Sequence, residues 1–151
     1  MSWFRARSVV VLAVGLLLGM GAVGCSGSSS NPYLNYGPTP TAETLTFTGT
    51  LDNTGDVPVL RQTHTFTTTY NGTLSMTLTA TTPSMAVGFG IGQWDSTNST
   101  CGPLLSWNNM ATPGTVILGN AIAGSFCAQV YDVGNLAAGA QASYTLSVTH
   151  Y

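Results

Sequence analysis

The groups that could do chemistry in this chain are few. His64 and His150 are its only ordinary bases, and Glu43, Asp52, Asp56, Asp95 and Asp132 are its only carboxylates. A serine or threonine nucleophile needs such a base and a third group to orient it. No Gly-x-Ser-x-Gly elbow occurs in the sequence. His64 lies in the alternating segment Thr63-His64-Thr65-Phe66 and His150 is the penultimate residue, so both are expected as exposed strand histidines. Asp52 and Asp56 share one turn, where aspartate ordinarily accepts backbone N–H bonds, and nothing foretells two carboxylates facing each other across a cleft. Phosphate loops and the Cys and His spacings of zinc sites are missing. The chain therefore reads as a non-enzyme, with no cofactor and no metal site.

What remains are aromatic rings in polar surroundings. Trp94 precedes Asp95-Ser96-Thr97-Asn98, Trp107 sits in Ser106-Trp107-Asn108-Asn109, and Tyr131 precedes Asp132. Such rings offer a large apolar face beside polar groups, which suits a sugar ring whose hydroxyls Asp95 and Asn109 would hydrogen-bond. Trp94, Asp95, Trp107, Asn109 and Tyr131 are thus the candidate ligand-binding residues. The alternative is that both indoles tuck over one end of the domain, beside paired cysteines.

Charge narrows the partners. Of 151 residues, 44% are hydrophobic and only 5% charged, a composition unlike that of disordered chains. Arg61 is the only cation after Arg7, since the sequence has no lysine. Binding a phosphate backbone takes several cations on one face, so nucleic acid is excluded as a partner.

The N-terminus reads as an address. Arg5 and Arg7 precede an uncharged, mostly apolar run from Val9 to Val23, too short to span a bilayer and suited to a secretory signal. It ends in Ala22-Val23-Gly24-Cys25, which resembles the lipobox of bacterial lipoproteins, in which the cysteine is lipidated and becomes the mature N-terminus. The resemblance implies a signal peptide over 1–24, a lipid anchor on Cys25, and a place in the bacterial cell envelope, on the outer membrane or the cell surface. A plain signal peptide cut nearby is the alternative. Residues 25–41, with Ser26-Gly27-Ser28-Ser29-Ser30 and the prolines beyond, form a tether. The exported part then carries one Arg against five acids. Removing Cys25 from the count leaves Cys101 and Cys127, and an even remainder in an oxidising compartment reads as one disulfide. Two free core thiols are the alternative.

Residues 42–151 must position these groups, and their period is two. Leu45 and Phe47 alternate with Thr44, Thr46 and Thr48, as do Leu74, Met76, Leu78 and Ala80 with Ser75, Thr77 and Thr79. The same phase runs through Met85-Val87-Phe89-Ile91, Phe126-Ala128-Val130 and Tyr144-Leu146-Val148. One-faced alternation is the signature of antiparallel sheet. Turn residues divide it, with Asn71-Gly72 the strongest hairpin signal, and Leu104 to Met110 is expected to hold one helical turn at most. Seven to eight strands in this length predict an all-β, antiparallel two-sheet β-sandwich. Gly88 and Gly90 leave bare backbone opposite Val87 and Phe89, to be covered from within the fold.

The stretch from Gly124 to Asp132, followed by Ser143-Tyr144-Thr145-Leu146-Ser147-Val148-Thr149, resembles the last hairpin of bacterial pre-peptidase C-terminal domains. Gly72-Thr73-Leu74-Ser75-Met76-Thr77-Leu78 is similar to an earlier strand of those domains. The resemblance implies a jelly-roll-like sandwich of a kind appended to secreted peptidases, some members of which bind collagen or polysaccharide. Where the family commonly carries acids, this chain has Met85-Ala86-Val87-Gly88-Phe89-Gly90-Ile91, so the resemblance supplies no acids on that strand for the calcium site of collagen-binding relatives. The expectation is a membrane-anchored, non-catalytic binding or adhesion module for an extracellular polysaccharide or protein. The alternative is a structural or assembly lipoprotein that engages an envelope protein through a strand edge or sheet face.

Overall fold

The computed structural model describes residues 39–151; the segment 1–24, Cys25 and the tether as far as residue 38 lie outside the described residues. The strands are β1 (Glu43–Asp52), β2 (Arg61–Thr68), β3 (Gly72–Thr82), β4 (Val87–Asp95), β5 (Thr100–Ala111), β6 (Val116–Ala121), β7 (Gly124–Tyr131) and β8 (Gln141–His150). They make two four-stranded sheets, ordered β1-β8-β3-β6 and β2-β7-β4-β5, with every pairing antiparallel. The expected all-β sandwich is the fold. Its connectivity is that of a jelly roll, because the chain changes sheet at every connection except that from β4 to β5.

Alternation explains both faces. Leu74, Met76 and Leu78 of β3, Val87, Phe89 and Ile91 of β4, and Leu146 and Val148 of β8 point inward and are fully buried. On the other face of the first sheet the rows are hydroxylated. Thr44 lies beside Thr149 and then Ser75, and Thr46 beside Ser147 and then Thr77. The Thr44 and Thr149 hydroxyls are 2.9 Å apart. This face is wetted by hydroxyl groups in place of charges.

Three local expectations are corrected. Asn71-Gly72 closes no hairpin, because β2 and β3 belong to different sheets. A two-residue hairpin of that type needs positive φ, and neither residue has it. Instead the Asn71 side chain accepts the Ala123 N–H at 2.9 Å, pinning a crossing between sheets. Likewise β7 and β8 are not a hairpin but lie in opposite sheets. Leu104 to Met110 is strand throughout. Its register against β4 slips at three places, between Val87 and Phe89, Ile91 and Gly92, and Gly92 and Trp94. Each bulge breaks the alternation, which is why the segment shows no period in sequence.

Cys101 of β5 and Cys127 of β7 form the expected disulfide, with Cα atoms 5.7 Å apart. It is not a loop tether. Since β4 lies between those strands, the bridge steps over β4 at Gly92, which is in register with Cys127.

Candidate functional site

The site is built on the outer face of the second sheet. Val87, Phe89 and Ile91 fill the core, so Gly88, Gly90 and Gly92 turn outward with no side chain. Each is needed for a close approach. A Cβ on Gly88 would run into the Tyr131 ring, and one on Gly90 would stand 2.8 Å from Leu104 Cδ1 and 3.0 Å from Trp107 Cβ. One on Gly92 would stand 3.0 Å from the Gly102 carbonyl oxygen and 3.3 Å from Cys101 Sγ. The neighbours therefore lie flat on β4, which is the coverage anticipated for Gly88 and Gly90.

Tyr131 ends β7, in register with Arg61 on β2 and Gly88 on β4. Its hydroxyl donates to Asn109 Oδ1 at 2.5 Å, and the Arg61 guanidinium carbon lies 5.7 Å from its ring centroid, a cation–π placement. Burial raises the Tyr131 phenol above its ordinary value, and the Arg61 charge partly opposes this. The phenol therefore stays protonated and remains a donor. Trp107 is opposite Gly90 on β5 and stays 57% exposed. Leu104, Trp107, Asn109 and Tyr131 line a depression of about 360 Å³. On the other side of Tyr131, Pro58, Val59, Leu60, Arg61 and Asp132 line a second, of about 480 Å³.

Of the five residues singled out in sequence, Trp107, Asn109 and Tyr131 come together. Trp94 and Asp95 do not join them. Trp94 is half-buried at the far end of β4, opposite Cys101 of the disulfide. The Asp95 carboxylate accepts from the Asn98 side-chain amide at 2.6 Å and from the Asn98 and Thr97 N–H groups at 3.2 and 2.9 Å. Those bonds, the Asn98 amide foremost, hold its carboxyl below the usual range. It is a turn residue. Leu104 and Arg61 were missed, although Arg61 carried a signal as the only cation beyond the N-terminal segment.

Both histidines correct the expectation of exposure. His64 is in phase with Phe66 and His150 with Val148, so the alternation itself sends them inward. His150 is 3% exposed and lies against Phe66, ring centroids 5.5 Å apart. Neither of its ring nitrogens has a hydrogen-bond partner among the described residues. His64 stacks on Phe47 at 4.9 Å and belongs to a chain of polar groups between the sheets. Gln62 Nε2 donates to the Thr50 carbonyl at 2.8 Å, so Gln62 Oε1 faces Tyr144 and accepts its hydroxyl at 3.0 Å. The Tyr144 oxygen is then left to accept from His64 Nε2, 2.8 Å away, which fixes the Nε2–H tautomer. Burial pushes Tyr144 up to about 12. These groups link β2 of one sheet to β1 and β8 of the other.

Burial also lowers the His64 pKa below its ordinary 6.5. The unfolded chain then binds a proton more readily, so the stability due to neutral His64 is full above about 6.5 and is lost as pH falls toward the depressed folded value. The melting temperature is expected to drop between pH 7 and pH 5, and part of that slope is expected to vanish in His64→Gln. An identical slope in the variant would show that His64 does not titrate in that window.

No family model matches the chain, and no curated protein matches it. Among solved structures, the pre-peptidase C-terminal domain of a collagenase from Bacillus anthracis is similar, with 15% identity and a TM-score of 0.49 over 70% of this chain and 88% of that one. A periplasmic inhibitor of g-type lysozyme from Aeromonas hydrophila is similar too, with 14% identity and a TM-score of 0.49 over 71% of this chain and 85% of that one.

Proposed function

We propose that the chain is an envelope-anchored, non-catalytic binding module that takes up an extracellular polymer, foremost a polysaccharide, on the β4–β5–β7 face. The observation that carries this reading is Trp107, held open above Gly90 in one depression with Asn109 and Tyr131. An exposed indole in a shallow groove supplies a stacking face, and the Asn109 amide and Tyr131 hydroxyl, fixed on each other, supply polar contacts at its rim. Binding at so open a site is weak, on the order of millimolar to micromolar. Titrating a panel of neutral glycans while following tryptophan fluorescence is expected to give saturable quenching. Trp107→Ala should abolish it, whereas Trp94→Ala, off the groove, should keep it. No response to any polymer from folded, disulfide-bonded protein would defeat the reading. The second reading, assembly with an envelope protein through a strand edge, is favoured by the uncharged, apolar β6 edge.

Anchoring belongs to the same proposal. Processing before Cys25 and acylation of its thiol and amine would display the sandwich at the end of its tether, since two or more acyl chains hold a protein stably on a bilayer. Ser26 follows the cysteine where an aspartate would signal inner-membrane retention, which favours the outer membrane or the cell surface. A Cys25→Ala variant is expected to leave the membrane fraction and lose the lipid mass. Membrane association unchanged in that variant would count against the anchor.

A further inference from the structure

The outer rows of the first sheet change chemistry at one strand. Read across the sheet, one row is Thr44, Thr149, Ser75, Leu118 and the next is Thr46, Ser147, Thr77, Val116. Three strands offer hydroxyls and the fourth offers hydrocarbon. Leu118 is 62% exposed and Val116 51%. That fourth strand, β6, is an edge, hydrogen-bonded among the described residues to β3 alone. Edge strands are ordinarily guarded by lysine, proline or an inward charge, and β6, Val116-Ile117-Leu118-Gly119-Asn120-Ala121, has none of these.

The other edges are guarded. Strand β1 carries Glu43 and Asp52 at its two ends, so self-pairing would gather four acids along one seam. Strand β2 opens with Arg61, and β5 is interrupted by three register slips. By contrast, the sequence from Ser96 to Tyr131, which includes all of β6, contains no Asp, Glu, Lys, Arg or His. The rest of the exported chain is acidic, one Arg against five carboxylates, so two copies repel wherever they meet except along such a neutral seam.

We propose that β6 pairs antiparallel with β6 of a second copy, about a two-fold axis at Leu118, joining the two four-stranded sheets into one of eight strands. The period of two fixes the register. Opposed residues must lie on the same face, so the axis falls on a residue that meets itself. Leu118 is the outward residue midway between Val116 and Asn120, so Leu118 faces Leu118 of the second copy and Val116 faces Asn120. A symmetric edge is complementary to itself. A charged partner strand of either sign would lose hydration against Val116 and Leu118 and find no countercharge. Six residues bury less than a standard interface, so the dimer is weak in dilute solution. It would hold two copies of the Trp107 depression, each on the second sheet of its own sandwich, on the same side of one rigid assembly, which strengthens binding to a repeating polymer without any new contact.

The test uses the whole protein with its native disulfide. Directly opposed strand residues have Cβ atoms about 4.5–5.5 Å apart, close to disulfide distance. Leu118→Cys is therefore expected to give a disulfide-linked species of twice the monomer mass on oxidation. Ser75→Cys, one strand further from the axis in the same row, is expected to give none. Sedimentation of the wild type should show concentration-dependent dimer, and Leu118→Lys should sediment as monomer while its melting temperature holds, since the side chain is exposed. Equal cross-linking by Leu118→Cys and Ser75→Cys would overturn the proposal. So would a wild type that stays monomeric at high concentration, or an adduct whose mass is that of a different envelope protein. None of these outcomes depends on glycan binding, so the fate of the polysaccharide reading is decided separately.

Discussion

Replacing Cys101 and Cys127 together by alanine is expected to destabilise the domain by about 3.5 kcal/mol, the loop-closure entropy that returns to the unfolded chain. For a domain of this size that lowers the melting temperature by roughly 10–20 °C. The native state loses more than an entropic constraint. The ladder between β4 and β5 slips twice near the bridge, between Ile91 and Gly92 and between Gly92 and Trp94, so regular pairing holds that end of β5 poorly. The covalent step over Gly92 holds it instead. Because Leu104, Trp107 and Asn109 all ride on β5, the site should loosen before the sandwich unfolds. Urea titrations with and without reductant check the stability, and tryptophan quenching at low urea checks the site. A shift under about 3 °C would show that the bridge is incidental to both.

How much of this was legible depends on where the alternation survives. In β4 and β8 the period of two is unbroken, and in β3 it holds from Leu74 to Leu78, after which a bulge turns Ala80, read as an inward residue, to the outside. Leu74, Phe89 and Leu146 were placed in the core from the sequence. The same rule, applied to polar residues, would have sent His64 and His150 inward. What hid them was the habit of reading a strand histidine as exposed. In β5 three bulges scramble the pattern, so no count of apolar positions could reveal a strand through Trp107. Asn71-Gly72 failed for another reason: local turn preference cannot tell a hairpin from a crossing between sheets. Here the Ala123 N–H, bonded to Asn71, and the Tyr151 carbonyl, which accepts the Thr69 and Tyr70 N–H groups at 3.2 Å, decide. Sequence could name Trp107, Asn109 and Tyr131 as candidates by their polar surroundings. It could not join them, because their meeting depends on the register that lays Tyr131 over Gly88 and Trp107 beside Gly90. Trp94 and Asp95 looked equivalent to them and differ only by lying beyond the disulfide.

Gly49→Ala is expected to cost about 2–4 kcal/mol, although alanine in a strand ordinarily improves on glycine by roughly 0.5–1 kcal/mol. Gly49 is opposite Tyr144 in the pairing of β1 with β8, and a methyl there would fall onto Gln62 Oε1 and the Tyr144 hydroxyl. Neither can retreat without breaking the bonds from Gln62 to Thr50 and from His64 to Tyr144. Overpacking costs about 1–3 kcal/mol, and leaving buried polar groups unsatisfied adds about 1–3 kcal/mol. Gly119→Ala is the control, since a Cβ at Gly119 meets nothing within 4 Å; it should be neutral or slightly stabilising. If the damage passes through the tyrosine hydroxyl, Gly49→Ala should cost less in a Tyr144→Phe background, where that oxygen is already gone. A double-mutant cycle by urea unfolding reads the difference directly. Equal stabilities for Gly49→Ala and Gly119→Ala would mean that β1 can move away from β2 without cost, and that the polar chain between the sheets does not hold them in place.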